Sequence, residues 1–285
     1  MFFGNILNEY GEYRKAVDAL KDRKVPVSVD GISESAQSGL IYALSEDTQS
    51  DALVVTYSDL EAQALYSDLC FYTDNALLFP TKEYIFYDIE TAGHQKEYER
   101  LEVIYNLCAE KGKHIVVASL EAIFGYTMPK NLYKNSVISF EVGKQFDMAE
   151  LENMLVRIGY IREDMVEGKG QFSVRGGILD IFCPHMENPI RIEFFDNETD
   201  SIREFDIMTQ RSLDMLDSAV VVPCSEIVLS EEKRLEMMDF LKSAIAKLKR
   251  KKSDQSELIK TLENDMERFA ENIHFPSIDK YVCKI

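Results

Sequence analysis

Between Gly168 and Leu213 the chain carries short runs that alternate apolar and polar residues with a period of two. That is the pattern of a sheet with one face buried and the other in water. In QFSVRG, Phe172 and Val174 fall on one side, Ser173 and Arg175 on the other. In PIRIEFF, Ile190, Ile192 and Phe194 point inward, which sends Arg191, Glu193 and Phe195 outward. Two arginines, a carboxylate and a large aromatic on one open face have the composition of a recognition surface. A solvated face whose charges only keep the sheet soluble has the same pattern.

Upstream, the period changes. Tyr13, Val17 and Leu20 share helical spacing, VPVSVDG (25–31) reads as a strand running into a turn, and a helix follows through Leu40, Ile41 and Leu44. The unit then repeats: ALVVTYS as a buried strand, Ser58 or Asp59 as a helix cap, EAQALYSDLCFY as a helix, NALLFP as a strand, a helix over 99–110, and HIVVAS (114–119) as a strand. Strict alternation of strand and helix predicts a mostly parallel sheet covered on both faces, hence an α/β first domain over residues 1–145.

In such a domain the turn after the first strand is where a helix N-terminus meets phosphate. Here it reads Gly31-Ile32-Ser33-Glu34-Ser35-Ala36-Gln37-Ser38. Against GxxxxGK[ST], Gly31 and Ser38 remain, but Ala36 replaces the second glycine and Gln37 the lysine. Loss of the lysine removes the main point charge for a triphosphate, and Glu34 adds a repelling one. The loop is therefore read as a lost nucleotide site, with a divergent P-loop ATPase or helicase acting on DNA as the alternative. The aromatic stretch FPTKEYIFYDIETAGH (79–94), with Tyr84, Phe86 and Tyr87, could stack on bases, but its flanking charges are mainly acidic, which favours packing of a loop.

At Asp147 a helix begins, capped by Asp147 with Glu150, striped by Leu151, Met154, Leu155 and Ile158, and stopped at Gly159. A helix leading into consecutive strands marks a change of architecture, and a small α+β domain is expected over 146–217. From 218 to 285 the chain turns helical, with Leu235, Met238, Phe240, Leu241, Ile245 and Leu248 on one helix and Leu258, Ile259, Leu262, Met266 and Phe269 on the next. Lys247 to Lys252 form the one basic run, read first as a solvated helix end and second as a direct DNA contact. HFPSIDKYVCKI reads as a strand with no polar tail behind it, which predicts that the native chain continues.

The 285 residues, 46% of them hydrophobic, suffice for two or three cores. A formal net charge of −18 opposes binding of a polyanion over most of the surface. Five cysteines without a CxxC pair, in apolar or mixed contexts, read as reduced buried thiols and predict a cytoplasmic protein. No run approaches the roughly 18 apolar residues of a membrane span, and the N-terminus lacks the features of a signal peptide. Cys183-Pro184-His185 has no partner pair nearby, and the four histidines are dispersed, so no metal site, cofactor or nucleophile–base pair is assigned.

FSVRGGILDIF, PIRIEFFDNETDSIREFD and TQRSL resemble the bacterial transcription-repair coupling factor (Mfd) family, which is in turn similar to the excision-repair subunit UvrB. The resemblance spans essentially the whole chain, most strongly Tyr160 to Leu213. It implies a degenerate, helicase-like domain of the P-loop NTPase type without motor activity, a small inserted α+β domain that binds the ATPase UvrA through an exposed sheet face, and a helical segment, 218–285, that returns to complete the first domain. The family's UvrA contacts, carried over by position, fall on Arg175, Arg191 and Phe195, with Glu193 between them, and on Arg162. Full-length members hydrolyse ATP and engage RNA polymerase and double-stranded DNA through later domains, so this chain is expected to dock UvrA rather than catalyse. In that role Arg175 and Arg191 would meet carboxylates, Glu193 would accept from a basic group and orient Arg191, and Phe195 would supply the apolar anchor. Two departures from UvrB, the altered phosphate loop and the segment from Tyr87 to His114, too short for a DNA-clamping hairpin, point to the coupling factors. A third, Ser173 where UvrB has arginine, removes one ionic contact.

Overall fold

The computed structural model describes residues 7, 9–82, 95–109, 112–125, 127–250, 256–271, 275, 277–278 and 280–281. Its contacts divide the chain into two compact units, Met1–Lys82 with Val103–Gly125, and Glu83–Glu102 with Tyr126–Ile285.

In the first unit, α1 (Gly11–Lys21) and α2 (Glu34–Thr48) pack through Tyr13, Val17 and Ala43. They precede β1 (Ala52–Thr56), α3 (Asp59–Leu69), β2 (Ala76–Phe79), α4 (Gln95–Cys108), β3 (Ile115–Ser119) and the short α5 (Leu120–Ile123); the part of α4 up to Glu102 groups with the second unit. The three strands form a parallel sheet in the order β1-β3-β2. Ser58 caps α3 by accepting from the Glu61 N–H at 3.3 Å. The apolar stripe of α3, Ala62, Leu65 and Leu69, closes on Ala76, Ile115 and Val117 of the sheet.

Two expectations fail here. VPVSVDG is not a strand: Val25 and Val29 are exposed, and no strand among the described residues pairs with it. Pro26 offers no N–H to a ladder, so alternation alone cannot hold the segment in a sheet. Among the described residues the expected covering of both sheet faces is also incomplete, because Leu53 and Val55 of the edge strand β1 remain exposed.

In the second unit, α6 (Lys130–Asn135) leads to β4 (Ile138–Glu141), then α7 (Met148–Arg157), whose cap Asp147 accepts from the Glu150 N–H at 3.0 Å and whose Leu151 and Leu155 are buried. Six strands follow: β5 (Ile161–Arg162), β6 (Gln171–Arg175), β7 (Ile178–Ile181), β8 (Ile190–Phe195), β9 (Glu198–Phe205) and β10 (Ser212–Leu216). They form one sheet in simple sequence order, antiparallel except for the parallel β5–β6 pair.

The entry and exit of this sheet are fastened together. β11 (Ser218–Val221) pairs antiparallel with β4, and the Tyr160 hydroxyl donates to Val222 O at 2.8 Å. Gly159, at φ +101°, lies so close to Ser225 that a Cβ would stand 2.8 Å from the serine's own, so only glycine fits this crossing. Beside it the fully buried Arg100 pairs with the fully buried Glu226.

After β11 come α8 (Glu231–Lys249) and α9 (Ser256–Ala270), packed through Met237, Leu241 and Phe269. The final stretch, expected to be a strand, makes short helical turns at residues 277–278 and 280–281. Phe275, Ile278 and Tyr281 recur three apart and close on the same core, and Asp265 receives Tyr281 Oη at 2.5 Å and Lys280 Nζ at 2.6 Å. Residues 218–285, expected to complete the first domain, group with the second unit, and the boundaries expected at 145 and 217 fall inside that unit.

Candidate docking face

The face opposite the apolar core of the six-stranded sheet is set by register. Ser173 lies opposite Asp180, Asp180 opposite Arg191, and Arg191 opposite Arg203, giving one row across β6 to β9. The next row runs Arg175, Ile178, Glu193, Ser201. On the other side of β8, Ile190, Ile192 and Phe194 are buried as alternation requires. Phe195, at the end of β8 past a register shift, is 80% exposed. The adjoining turn passes through Asp196, which takes a positive φ of 58°.

The arginines are held by a residue not picked out from the sequence. Asp180, 1% exposed, accepts from Arg191 Nε at 2.7 Å and Nη2 at 2.8 Å, and from Arg175 Nη2 at 3.1 Å. Arg191 Nη2 also donates to Gln210 Oε1 at 3.1 Å, and its guanidinium stacks 4.5 Å above the Phe205 ring. Hydrogen bonding to Asp180 raises the Arg191 pKa above its ordinary value. Glu193 faces the other way: it accepts from Arg203 and, at 3.0 Å, from Ser201 Oγ, and the Arg203 bond holds its pKa below the usual carboxylate range. Asp180, then, and not Glu193, makes the hydrogen bonds that orient Arg191 within the chain.

Part of this face is covered. Val166, Phe182 and Phe205 form a small apolar cluster on it, joined by Ile207. The segment between β5 and β6 folds back along β6, with the Glu163 N–H on Phe172 O at 2.9 Å and Ser173 Oγ donating to Asp164 O at 2.9 Å. Ser173 is consequently 1% exposed and lies under that segment, not on an open surface.

Arg175, Arg191, Glu193 and Phe195 are therefore brought together, whereas Arg162 is set apart. In the parallel β5–β6 register it stands opposite the core residue Phe172, and its guanidinium pairs with Glu152 of α7. Asp180 and Arg203 carried a weak signal: a carboxylate between apolar neighbours in ILDI and an arginine in phase with Ser201, whose meaning depends on cross-strand register.

The residues read as an altered phosphate loop sit at the start of α2. Gly31 takes φ +79°, Ser33 is the N-cap without a side-chain cap bond, Ala36 and Gln37 are exposed in the first turn, and Ser38 is 2% exposed. No strand precedes them, so the strand–loop–helix frame of a P-loop is missing among the described residues. Tyr84, Phe86 and Tyr87 lie outside the described residues, as do Lys251 and Lys252 of the basic run; Lys249 Nζ is 2.7 Å from Glu263. Of the cysteines read as buried, Cys183 and Cys224 are, while Cys70 is exposed at the end of α3. Burial lowers the His185 pKa to about 4. No described helix is long and apolar enough to cross a membrane.

Residues 138–227 match the UvrB interaction domain, a span that starts at β4 and ends just past its partner strand β11. The chain is 33% identical over 281 residues to a transcription-repair-coupling factor of Bacillus subtilis, covering 97% of this chain and 24% of that protein. It is 31% identical to the factor of Staphylococcus haemolyticus, over 91% of the chain and 22% of the relative, and 32% identical to one from Staphylococcus aureus, over 83% and 20%. The chain thus spans between a fifth and a quarter of the length of these curated relatives.

Proposed function

We propose that this chain, similar over 97% of its length to the transcription-repair-coupling factor of Bacillus subtilis, serves as the module that recruits UvrA and so links stalled RNA polymerase to nucleotide excision repair. The observation that carries this is the coincidence of the matched UvrB interaction domain with the sheet that presents Arg175, Arg191, Glu193 and Phe195 on one face. The face works as a docking platform: Arg175 and Arg191, fixed by Asp180, meet acidic groups of UvrA, and Phe195 enters an apolar pocket. In this reading the first unit is a degenerate helicase-like domain, and 138–227 is the UvrA-binding part. The motor, with its contacts to RNA polymerase and double-stranded DNA, resides in the remainder of the full-length cytoplasmic protein.

The test is capture of purified UvrA on the immobilised chain, with ATP turnover of the chain alone measured in parallel. Retention of UvrA together with turnover no higher than a buffer blank is expected. Failure to retain UvrA would sink the docking role. Turnover abolished by changing Gln37 would instead support the divergent ATPase.

A further inference from the structure

We propose that Arg203 is a third arginine anchor of the docking face, receiving a carboxylate from an acidic segment of UvrA; this rests on the UvrA-recruiting role above. Arg203 stands directly opposite Arg191 across β8 and β9. Like charges in that relation destabilise a sheet, and local rules of this kind are broken mainly where function demands it.

The donors of Arg203 are incompletely used. Its Nη2 reaches Glu193, whose carboxylate is shared with Ser201, while its Nε is buried and meets no acceptor among the described residues. An N–H left without an acceptor costs free energy that a partner's oxygen can return. The side chain is 21% exposed, so a modest rotation presents the Nε edge to an incoming carboxylate in the two-pronged geometry that arginine favours.

Charge identifies the partner group. The two rows hold Arg175, Arg191 and Arg203 against Asp180 and Glu193, a locally positive field on a chain of net charge −18. Beyond Phe195 the hairpin turns acidic, with Asp196, Glu198 and Asp200 in sequence. An acidic protein segment laid across the strand centres, with an apolar pocket over Phe195, suits this layout. A nucleic-acid backbone would be repelled by the hairpin and by the chain as a whole.

The experiment is calorimetric titration of UvrA with the whole chain as parent, Arg203→Gln, Arg203→Lys, Glu193→Gln and the Arg203→Gln/Glu193→Gln double variant, with an unfolding midpoint for each. Arg203→Gln is expected to weaken binding by about tenfold. The loss should persist in the Glu193→Gln background, because Arg203 touches the partner itself. Arg203→Lys should lose part of the affinity at an unchanged midpoint, and it decides the matter if Arg203→Gln fails to fold.

If the parent binds and Arg191→Ala weakens binding, yet Arg203→Gln costs nothing in the Glu193→Gln background, Arg203 only holds Glu193 and the inference is wrong. Parent-like affinity of Arg203→Lys overturns the two-pronged contact. No binding by the parent removes the recruiting role itself. A drop in affinity for a DNA duplex with UvrA binding intact would assign Arg203 to nucleic acid and also overturn it.

Discussion

Replacing Arg100 with methionine is expected to lower the stability of the second unit by about 3 to 5 kcal/mol, the cost of breaking a buried ion pair from one side. Neither Arg100 nor Glu226 has any solvent-accessible side-chain surface. The pair fastens the residues just after β11 to α4, next to the Gly159–Ser225 crossing. Without the guanidinium, Glu226 must stay charged in a low-dielectric site or take up a proton, and both routes are unfavourable. A loss of this size should lower the unfolding midpoint on the order of 10 °C, read by circular dichroism. Removing both charges avoids the stranded carboxylate, so Arg100→Met/Glu226→Leu should unfold at a higher temperature than Arg100→Met alone. An Arg100→Met midpoint equal to the parent's would mean that the pair is not buried as described.

Arg191→Ala is expected to act on both folding and binding. In the free chain it takes two hydrogen bonds from Asp180, leaving that buried carboxylate only the 3.1 Å contact to Arg175 among its described hydrogen bonds. It also uncovers Phe205, on which the guanidinium lies. In the complex it removes one side of a desolvated charge pair, worth roughly 2 to 5 kcal/mol, so UvrA affinity should fall at least about tenfold. Arg191→Lys should not restore it, because an ammonium cannot span both Asp180 oxygens and Gln210 as the planar fork does. Urea denaturation and calorimetry on the same protein separate the two effects; parent-like affinity for UvrA would show that Arg191 lies outside the interface.

Local pattern made part of this face legible. Along β8 each inward residue is buried and each outward one is at least partly exposed, because the strand sits between two neighbours and period two fixes its sides. The same logic fails at Ser173, where the preceding segment between β5 and β6 folds back over the outward position, and such covering leaves no mark on the alternation of β6 itself. Asp180 and Arg203 gain their meaning only from strand register. Arg162 appeared suitable by position in the chain, but parallel pairing turns it toward α7.

Elsewhere, alternation misled in both directions. The valines of VPVSVDG alternate without a partner strand, and Phe275, Ile278 and Tyr281, which looked like strand positions, follow the three-residue spacing of helical turns. Helices were more readable: the caps at Ser58 and Asp147 declare themselves within a few residues, although in α8 Leu241 and Ile245 of the expected stripe are buried while Leu235 and Phe240 are exposed and Met237 takes the inner position.

Phe195 offers the cleanest separation of docking from folding, because its side chain is exposed in the free chain and buries almost nothing there. Covering a phenylalanine at an interface contributes about 1.5 to 3 kcal/mol. Calorimetric titration of UvrA with Phe195→Ala should therefore show affinity at least about tenfold below the parent, at an unchanged unfolding midpoint. Equal affinity of the two proteins would contradict docking through this sheet face.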